Sequence, residues 1–331
     1  MKIKLLTRSS DLNKILLAKL NQMGLTGETI DYKRPILPQI ADAEVIVNGF
    51  GIIDKSFIDG CPNLQLIQQT SIGIDNVDVK YCTSKSVLVA NVPLANAVSV
   101  AEHTLFLMLY LAKNVKEKLS ANAINTNNSF LFEKRLSGTL GSEIQRKVLV
   151  IIGLGATGLE VAKRAKSFGM HVIAVTKNPF LKKPGVDKAY FVDNIGGSEI
   201  LSESISRADY VSLHTPLTEE TKNMIGAKEL ALMKNSAYLV NVARASIVDR
   251  EALYTVLSNS KIAGAAFDVF WEEPPDPKDK LLKLNNFVHT PHIAGWTIDS
   301  VDAIARIIAT NIERYVQGEI PLTIVNPQLT F

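Results

Sequence analysis

Three glycines of the stretch GLGATG, Gly153, Gly155 and Gly158, stand at GxGxxG spacing between an apolar run, VLVII, and a helical sequence, LEVAKRAKSFG. At this spacing the glycines serve a tight turn, a close approach of bare backbone to a pyrophosphate, and close packing of helix on strand. Unpaired N–H groups at the start of such a helix face an anion. The pattern is weak by itself; its placement between strand and helix gives it meaning. A carboxylate about 20 positions further on would take the ribose hydroxyls of NAD, but Thr176 stands there with Lys177 beside it. A neutral hydroxyl removes the repulsion toward a 2′-phosphate and the lysine offers a cation, so NADP(H) is favoured, while a threonine does not forbid NAD(H). Further along, VNVARASIVD, FDVFWEEPP and VHTPHIAGWT carry Arg244, Glu273 and His292 just after strand-like runs. The ends of parallel strands are where α/β folds place ligands. Singly, each has a plain structural reading: a surface arginine, a solvated glutamate before Pro-Pro, a hydrogen-bonded structural histidine. Together, a fixed cation and a proton donor are what a ketone oxygen needs beside it when hydride reaches its carbon.

The elements that position these residues come in two alternating series. Over residues 1–90, short β-branched runs (KIKLLT, EVIVNG, LQLIQQ, SVLVAN) alternate with helical periodicity in DLNKILLAKLNQMG, the rhythm of a parallel sheet under helices. A long helix is expected over 98–119; it is apolar nearly all round in its first two thirds and therefore buried between domains or subunits. After the polar stretch ANAINTNNSF a second series begins at Lys147: VLVII, HVIAVT, KAYFVD, DYVSLH, AYLVNV, IAGAAFDV and NFVHTPH. An amphipathic helix over 299–317, long enough to return to the first series, closes the chain, and EEPPDP at 272–277 reads as a surface turn.

Bulk composition narrows the classes. The 331 residues suit two domains, and 47% apolar with 21% charged residues is the balance of a folded soluble protein. A net charge of +3 with no block of basic residues argues against nucleic acid as a partner. Cys61 and Cys82 show neither CxxC nor Cys/His spacing, so they are expected to be reduced, with no disulfide framework and no metal site. Charges are scattered through the first twenty residues, unlike a signal peptide, and TLFLMLYLA at 104–112 is about half of the ~20 residues that span a bilayer. A cytoplasmic protein is expected.

In this order the segments resemble the D-isomer-specific 2-hydroxyacid dehydrogenases, a family that includes phosphoglycerate dehydrogenases, D-lactate dehydrogenases and glyoxylate or hydroxypyruvate reductases. The resemblance extends through SIGIDNVDV at 71–79, NVPLANAVSVAEHTLFLML at 91–109 and LHTPLTEETKNMI at 213–225. It implies an α/β chain of two doubly wound parallel-sheet domains, a Rossmann coenzyme domain inserted into a flavodoxin-like substrate domain. The expected boundaries are 1–97 and 293–331 for the substrate domain and 98–292 for the NAD(P) domain, with hinges near 96–99 and 293–297 around a closing cleft. By the resemblance Arg244 holds and polarises a 2-keto acid, His292 is the general acid or base and Glu273 pairs with it. The backbone amides of Ile72 and Gly73 bind the substrate carboxylate. Gly153, Gly155, Ala156, Thr157 and Gly158 form the pyrophosphate turn, and Thr176, Lys177 and Pro216 lie toward the adenosine. Val242, Ala243, Asp268, His292 and Gly295 lie toward the nicotinamide, Asp268 accepting from the carboxamide unless it is simply a strand-end cap. A homodimer through the helix near 101–111 is the family's common assembly.

Two positions depart from the family pattern. Ala245 follows Arg244 where the family usually has glycine, which puts the pose of Arg244 in question if that backbone is left-handed. The acid missing at Thr176 concerns the choice of cofactor. For the substrate, VNGFG and QQTSIG carry no Arg or Lys, which disfavours phosphoglycerate. Ile72 stands where phosphite dehydrogenases have lysine, and formate dehydrogenases have Gln in place of Glu273. Glyoxylate, hydroxypyruvate or pyruvate remain as the expected 2-keto acids. The alternative from another class is a dinucleotide-sensing interaction protein like the C-terminal-binding-protein corepressors; no long polar tail after Pro321 favours it.

Overall fold

The computed structural model describes residues 1–49, 51–116, 140–178 and 191–329. The chain divides into two units, Met1–Asn96 with Trp296–Phe331, and Ala97–Gly295. The first unit runs β1 (Ile3–Leu6), α1 (Ser10–Gln22), β2 (Gly27–Thr29), α2 (Leu37–Ile40), β3 (Val45–Asn48), α3 (Lys55–Asp59), β4 (Leu66–Gln69), α4 (Val79–Ser84) and β5 (Leu88–Ala90), and is completed by the C-terminal helix Ile298–Val316. Its five strands are parallel in the order β2-β1-β3-β4-β5. That is the flavodoxin-like order. Every residue of β3, β4 and β5 is buried, because helices cover both faces of the sheet. Strand β2, with sequence GET, was not expected. It has no β-branched apolar run, and pairing with β1 decides its conformation.

Leu12, Leu16 and Leu20 of α1 pack with Val301, Ile304, Ala305 and Ile308 of the C-terminal helix on one face of this sheet. Ser9 caps α1 by accepting from the Leu12 N–H, and Thr297 with Ser300 forms a capping box for the C-terminal helix. Asn311, fully buried in that helix, donates to Gln68 Oε1 of β4 at 2.8 Å and to Thr323 Oγ1 at 2.8 Å, which fixes the helix on the sheet. On the other face Cys61 and Cys82 are free and lie among Ile40, Phe57 and Ile58. Burial pushes both thiols up to about 11, which leaves them un-ionised and inert.

The second unit runs α5 (Ala97–Ala112), β6 (Val148–Ile152), α6 (Ala156–Ser167), β7 (His171–Val175), β8 (Asn194–Gly196), α7 (Leu201–Arg207), β9 (Tyr210–Leu213), α8 (Ala227–Leu232), β10 (Tyr238–Asn241), α9 (Arg250–Ser258), β11 (Gly264–Phe267) and β12 (Phe287–His289). Its strands are all parallel in the order β12-β11-β10-β9-β6-β7-β8. The order reverses beside β6, so a crevice opens at the carboxyl ends of β6 and β9. Two apolar layers cover the sheet. One is built on Val150, Val211, Leu239 and Phe267, the other on Ile151, Val172, Val240 and the α5 residues Ala101, Leu105 and Met108.

Three expected elements fall differently. The helix expected to reach 119 ends at Ala112: Asn114 turns left-handed at φ 51°, and the Ser142 N–H takes the Ala112 carbonyl at 2.7 Å. Residues 117–119 lie outside the described residues. The strand expected at KAYFVD is instead β8, which begins just after Asp193; that side chain accepts the Val172 N–H at 2.7 Å and pairs with Lys166 at 2.8 Å, marking the strand's entry. Residues 188–190 lie outside the described residues. The second crossing between units falls after Gly295, later than 292, because the Ile293 and Ala294 N–H groups are bonded to Asp268 in the second unit.

Candidate active site

The glycine turn separates the reasons for its three glycines. Gly153 has φ +97°, and a Cβ there would lie 2.6 Å from the His214 carbonyl carbon of the neighbouring strand end. At Gly158 a Cβ would meet the Gly153 oxygen at 2.1 Å, so helix and strand could not approach as they do. Gly155 is the contrast: a Cβ there would meet nothing within 4 Å, and its φ of −77° suits any residue. The fold does not need Gly155 to be bare. A ligand approaching the backbone does, and that is the fit expected of a pyrophosphate cradle. Gly155 is also the N-cap of α6 with no side chain to cap it, and the first intrahelical bond is Leu159 N–H to Gly155 O at 3.0 Å. The N–H groups of Ala156, Thr157 and Gly158 precede that bond, at the positive end of a twelve-residue helix.

Arg244, Glu273 and His292 follow β10, β11 and β12, three adjacent strands of the parallel sheet, at the same carboxyl edge as the glycine turn. Buried Asn241 fixes the first of them. Its Oδ1 accepts the Ala243 N–H at 3.0 Å and its Nδ2 donates to the Arg244 carbonyl at 2.9 Å, an Asx-type turn that sets the path of residues 241–244. Ala245 lies in the 3₁₀ turn Ala245–Ile247 behind an extended Arg244, φ −138°, so no left-handed residue is required there. The concern that alanine displaces Arg244 is therefore removed. Nη1 of Arg244 donates to the Ala243 carbonyl at 2.9 Å.

Glu273 is held through both oxygens: Oε1 accepts the Phe270 N–H at 2.9 Å and Oε2 lies 2.7 Å from His292 Nδ1. Burial alone would raise this carboxyl. The hydrogen bond from His292, the Phe270 N–H and the charges of His292 and Arg244 outweigh burial and hold it below its ordinary value. A carboxylate at Nδ1 requires the proton there, so proton exchange falls to Nε2. The His292 backbone is left-handed at φ 54°, and its N–H donates to the Asp268 carbonyl at 2.8 Å. Imidazole and carboxylate thus meet directly, and the Arg244 charge acts on the carboxylate.

Asp268 is almost completely buried and accepts three hydrogen bonds: Thr290 Oγ1 at 2.6 Å and the Ile293 N–H at 3.0 Å on Oδ1, and the Ala294 N–H at 2.8 Å on Oδ2. Asp268 thus organises the loop bearing His292 as a cap would. Val242 and Ala243 are half-buried in the Asn241 turn, and Gly295 ends the 290–295 loop. Ile72 and Gly73 lie in the first unit, in the loop after β4, where the Ile72 carbonyl accepts from Asn91 Nδ2 at 3.0 Å.

Thr176 follows β7 and its N–H bonds the Gly196 carbonyl at 2.9 Å. Lys177 is exposed and pairs with Glu220 at 2.7 Å, a carboxylate on the segment after β9 that sequence reading passed over. Strands β7 and β9 flank β6, so this pair bridges the two sides of the glycine turn. Pro216 lies on the same segment and its carbonyl accepts from Thr221 Oγ1 at 2.7 Å. His214, whose Nε2 meets Ser212 Oγ at 2.7 Å, is pushed down to about 3 by burial and stays neutral.

Known proteins bear on this arrangement. The family model described as D-isomer specific 2-hydroxyacid dehydrogenase, NAD binding domain, matches residues 105–294. A D-3-phosphoglycerate dehydrogenase of Methanocaldococcus jannaschii is 38% identical over 298 residues, covering 89% of this chain but only 54% of the relative, so the chain spans about half of that protein. A glyoxylate reductase of Korarchaeum cryptofilum is 34% identical over 298 residues, 90% of this chain and 87% of the relative. A crystal structure of a D-lactate dehydrogenase from Aquifex aeolicus, complexed with NAD and lactic acid, aligns with 98% of this chain and 99% of its own at a TM-score of 0.80 and 27% identity. The match spans the glycine turn and all three strand-end residues, and the chain belongs to the D-isomer specific 2-hydroxyacid dehydrogenase family.

Proposed function

We propose that the chain reduces small 2-keto acids to D-2-hydroxyacids with a nicotinamide dinucleotide, NADP(H) in preference to NAD(H). The observation that carries this reading is the 2.7 Å contact of His292 Nδ1 with Glu273, with Arg244 acting on the same carboxylate, at the strand edge that carries the glycine turn. A bound nicotinamide dinucleotide supplies the hydride. Charge then developing on the carbonyl oxygen is met by the Arg244 guanidinium, and the proton passes to that oxygen from His292 Nε2 while Glu273 steadies the imidazolium. In oxidation the same nitrogen takes the proton back. Family membership supports the reaction class; the dinucleotide-sensing alternative is not favoured, since the relatives are named as dehydrogenases and reductases.

The preference for NADP(H) rests on Thr176 and Lys177. The Lys177–Glu220 pair is highly exposed on both sides, 77% and 71%, and such a pair is worth about 0–1 kcal/mol. A 2′-phosphate carrying nearly two negative charges can therefore displace Glu220 from Lys177. For the substrate, a short uncharged tail is favoured because the loops after β3 and β4 offer no cation in the described residues. A panel of glyoxylate, hydroxypyruvate, pyruvate and 3-phosphohydroxypyruvate, each assayed with NADPH and NADH, tests both choices. Best turnover of an unphosphorylated acid with NADPH is expected; best turnover of the phosphorylated acid, or with NADH, would overturn the corresponding choice.

A further inference from the structure

The proton-transfer pair does not account for His103, a half-buried histidine of α5 that faces the loop bearing His292 rather than His292 itself. Its Nε2 lies 3.0 Å from Thr290 Oγ1 and 3.5 Å from Asp268 Oδ1. Thr290 Oγ1 in turn lies 2.6 Å from Asp268 Oδ1. The proton count settles the direction of this chain. A hydroxyl has one proton, and against a carboxylate oxygen that proton must be donated. What Thr290 then presents to His103 is a lone pair, so His103 must donate from Nε2. Burial pushes His103 below its ordinary value, with Asp268 opposing, so the neutral ring has to carry its one proton on Nε2.

We propose that His103 is a positioning residue for His292, acting through Thr290 and Asp268 to hold the 290–294 loop in the one conformation that presents the imidazole. The loop needs holding. His292 sits at φ 54°, a sparsely populated region that histidine enters more readily than most residues but that still carries a cost and persists where its surroundings hold it. What imposes it is the set of bonds to Asp268: the His292 N–H to its carbonyl, and the Thr290 hydroxyl and the Ile293 and Ala294 N–H groups to its carboxylate. His103 fixes the Thr290 hydroxyl in its donating orientation and ties the whole set to α5. That helix packs against β10 and β11, the strands preceding Arg244 and Asp268. The inference rests on His292 being the proton donor of the proposed reaction.

Four variants test it. His103→Leu removes the donor at similar bulk, His103→Gln restores an N–H at the Nε2 place, Thr290→Val removes the hydroxyl and Thr290→Ser keeps it. With glyoxylate and NADPH, His103→Leu is expected to lower kcat by about ten-fold, one lost hydrogen bond's worth, with KM for glyoxylate and NADPH affinity within about two-fold of wild type. His103→Gln and Thr290→Ser recover most of that loss, and His103→Leu with Thr290→Val loses no more than either alone. Hydrogen exchange at the Ile293 and Ala294 amides is expected to speed in His103→Leu and slow again in His103→Gln, a readout independent of turnover. Unchanged kcat and exchange in His103→Leu, or Gln no better than Leu, would overturn the proposal. If His103→Leu does not fold, the contrast between Thr290→Val and Thr290→Ser decides by the same criteria. Should His292→Asn keep full turnover while the exchange results hold, the reaction assigned to His292 fails and the loop assignment stands.

Discussion

At the scale of single residues, the proposed proton transfer depends on a carboxylate that is both anchored and ionised. Glu273 is anchored by the Phe270 N–H and kept ionised by His292 and Arg244. Its carboxyl is shifted below the ordinary 4.5 in the folded protein, so its contribution to stability is fully present above that value and is lost as pH falls through the depressed one. Glu273→Gln is therefore expected to unfold with a weaker dependence on pH below about 4.5, measured by urea midpoints at pH 7 and in acid; an unchanged acid dependence would contradict the pairing. At pH 7 the same variant should lose about 10- to 100-fold in kcat, the equivalent of one hydrogen bond to a charged group. Thr176→Asp places a negative charge at the end of β7, and the ratio of kcat/KM for NADPH over NADH is expected to fall by at least about ten-fold, one short-range charge contact; an unchanged ratio would remove Thr176 from cofactor choice. The strand-end positions of Arg244, Glu273 and His292 were legible in the sequence because each follows an apolar run. Asn241, His103, Thr290 and Glu220 were not. Their contacts lie 22 to 187 positions apart or cross a turn within one side chain's reach, and no local spacing encodes these.

At the scale of elements, the strand-turn-helix β6–α6 shows how far spacing alone reaches. The GxGxxG pattern announces three glycines, and only the built turn separates those needed by the fold from the one needed by a ligand. Gly155→Ala is expected to leave stability within about 1 kcal/mol, the size of an N-cap change, while dinucleotide affinity drops at least ten-fold. Gly158→Ala, whose Cβ would sit 2.1 Å from a backbone oxygen, is expected to lower the melting temperature and dinucleotide affinity together. Thermal melts with and without added NADPH read both; equal destabilisation by the two variants would contradict this division of roles. The apolar runs made the strands of both sheets legible, whereas β2, the end of α5 and the start of β8 were misjudged. Each of those is set by a partner outside its own sequence: β1 for β2, Ser142 and left-handed Asn114 for α5, and Val172 bonded to Asp193 for β8.

At the scale of the whole molecule, the chain passes twice between units, and the second unit, Ala97–Gly295, is one continuous stretch with its own two-layered core. It holds the glycine turn, Arg244, Glu273 and His292, while Ile72 and Gly73 belong to the first unit. Expressed alone, 97–295 is expected to fold cooperatively and to bind the dinucleotide, as calorimetric titration would register, but not to turn over 2-keto acids. Failure to bind would contradict the assignment of the cofactor site to this unit alone. The two alternating series made this organisation readable in advance, since a parallel sheet imposes its rhythm on the sequence; the crossing after Gly295 falls within the hinge expected near 293–297, three residues past the boundary drawn at 292, with Ile293 and Ala294 held by Asp268 of the second unit. The most direct measurement is the rate of NADPH oxidation by glyoxylate with wild type and His292→Asn, taken alongside NADPH affinity. A fall of about 10²–10⁴-fold in rate with affinity retained is the predicted result; a rate close to wild type would contradict proton transfer by His292 and with it the account of the site.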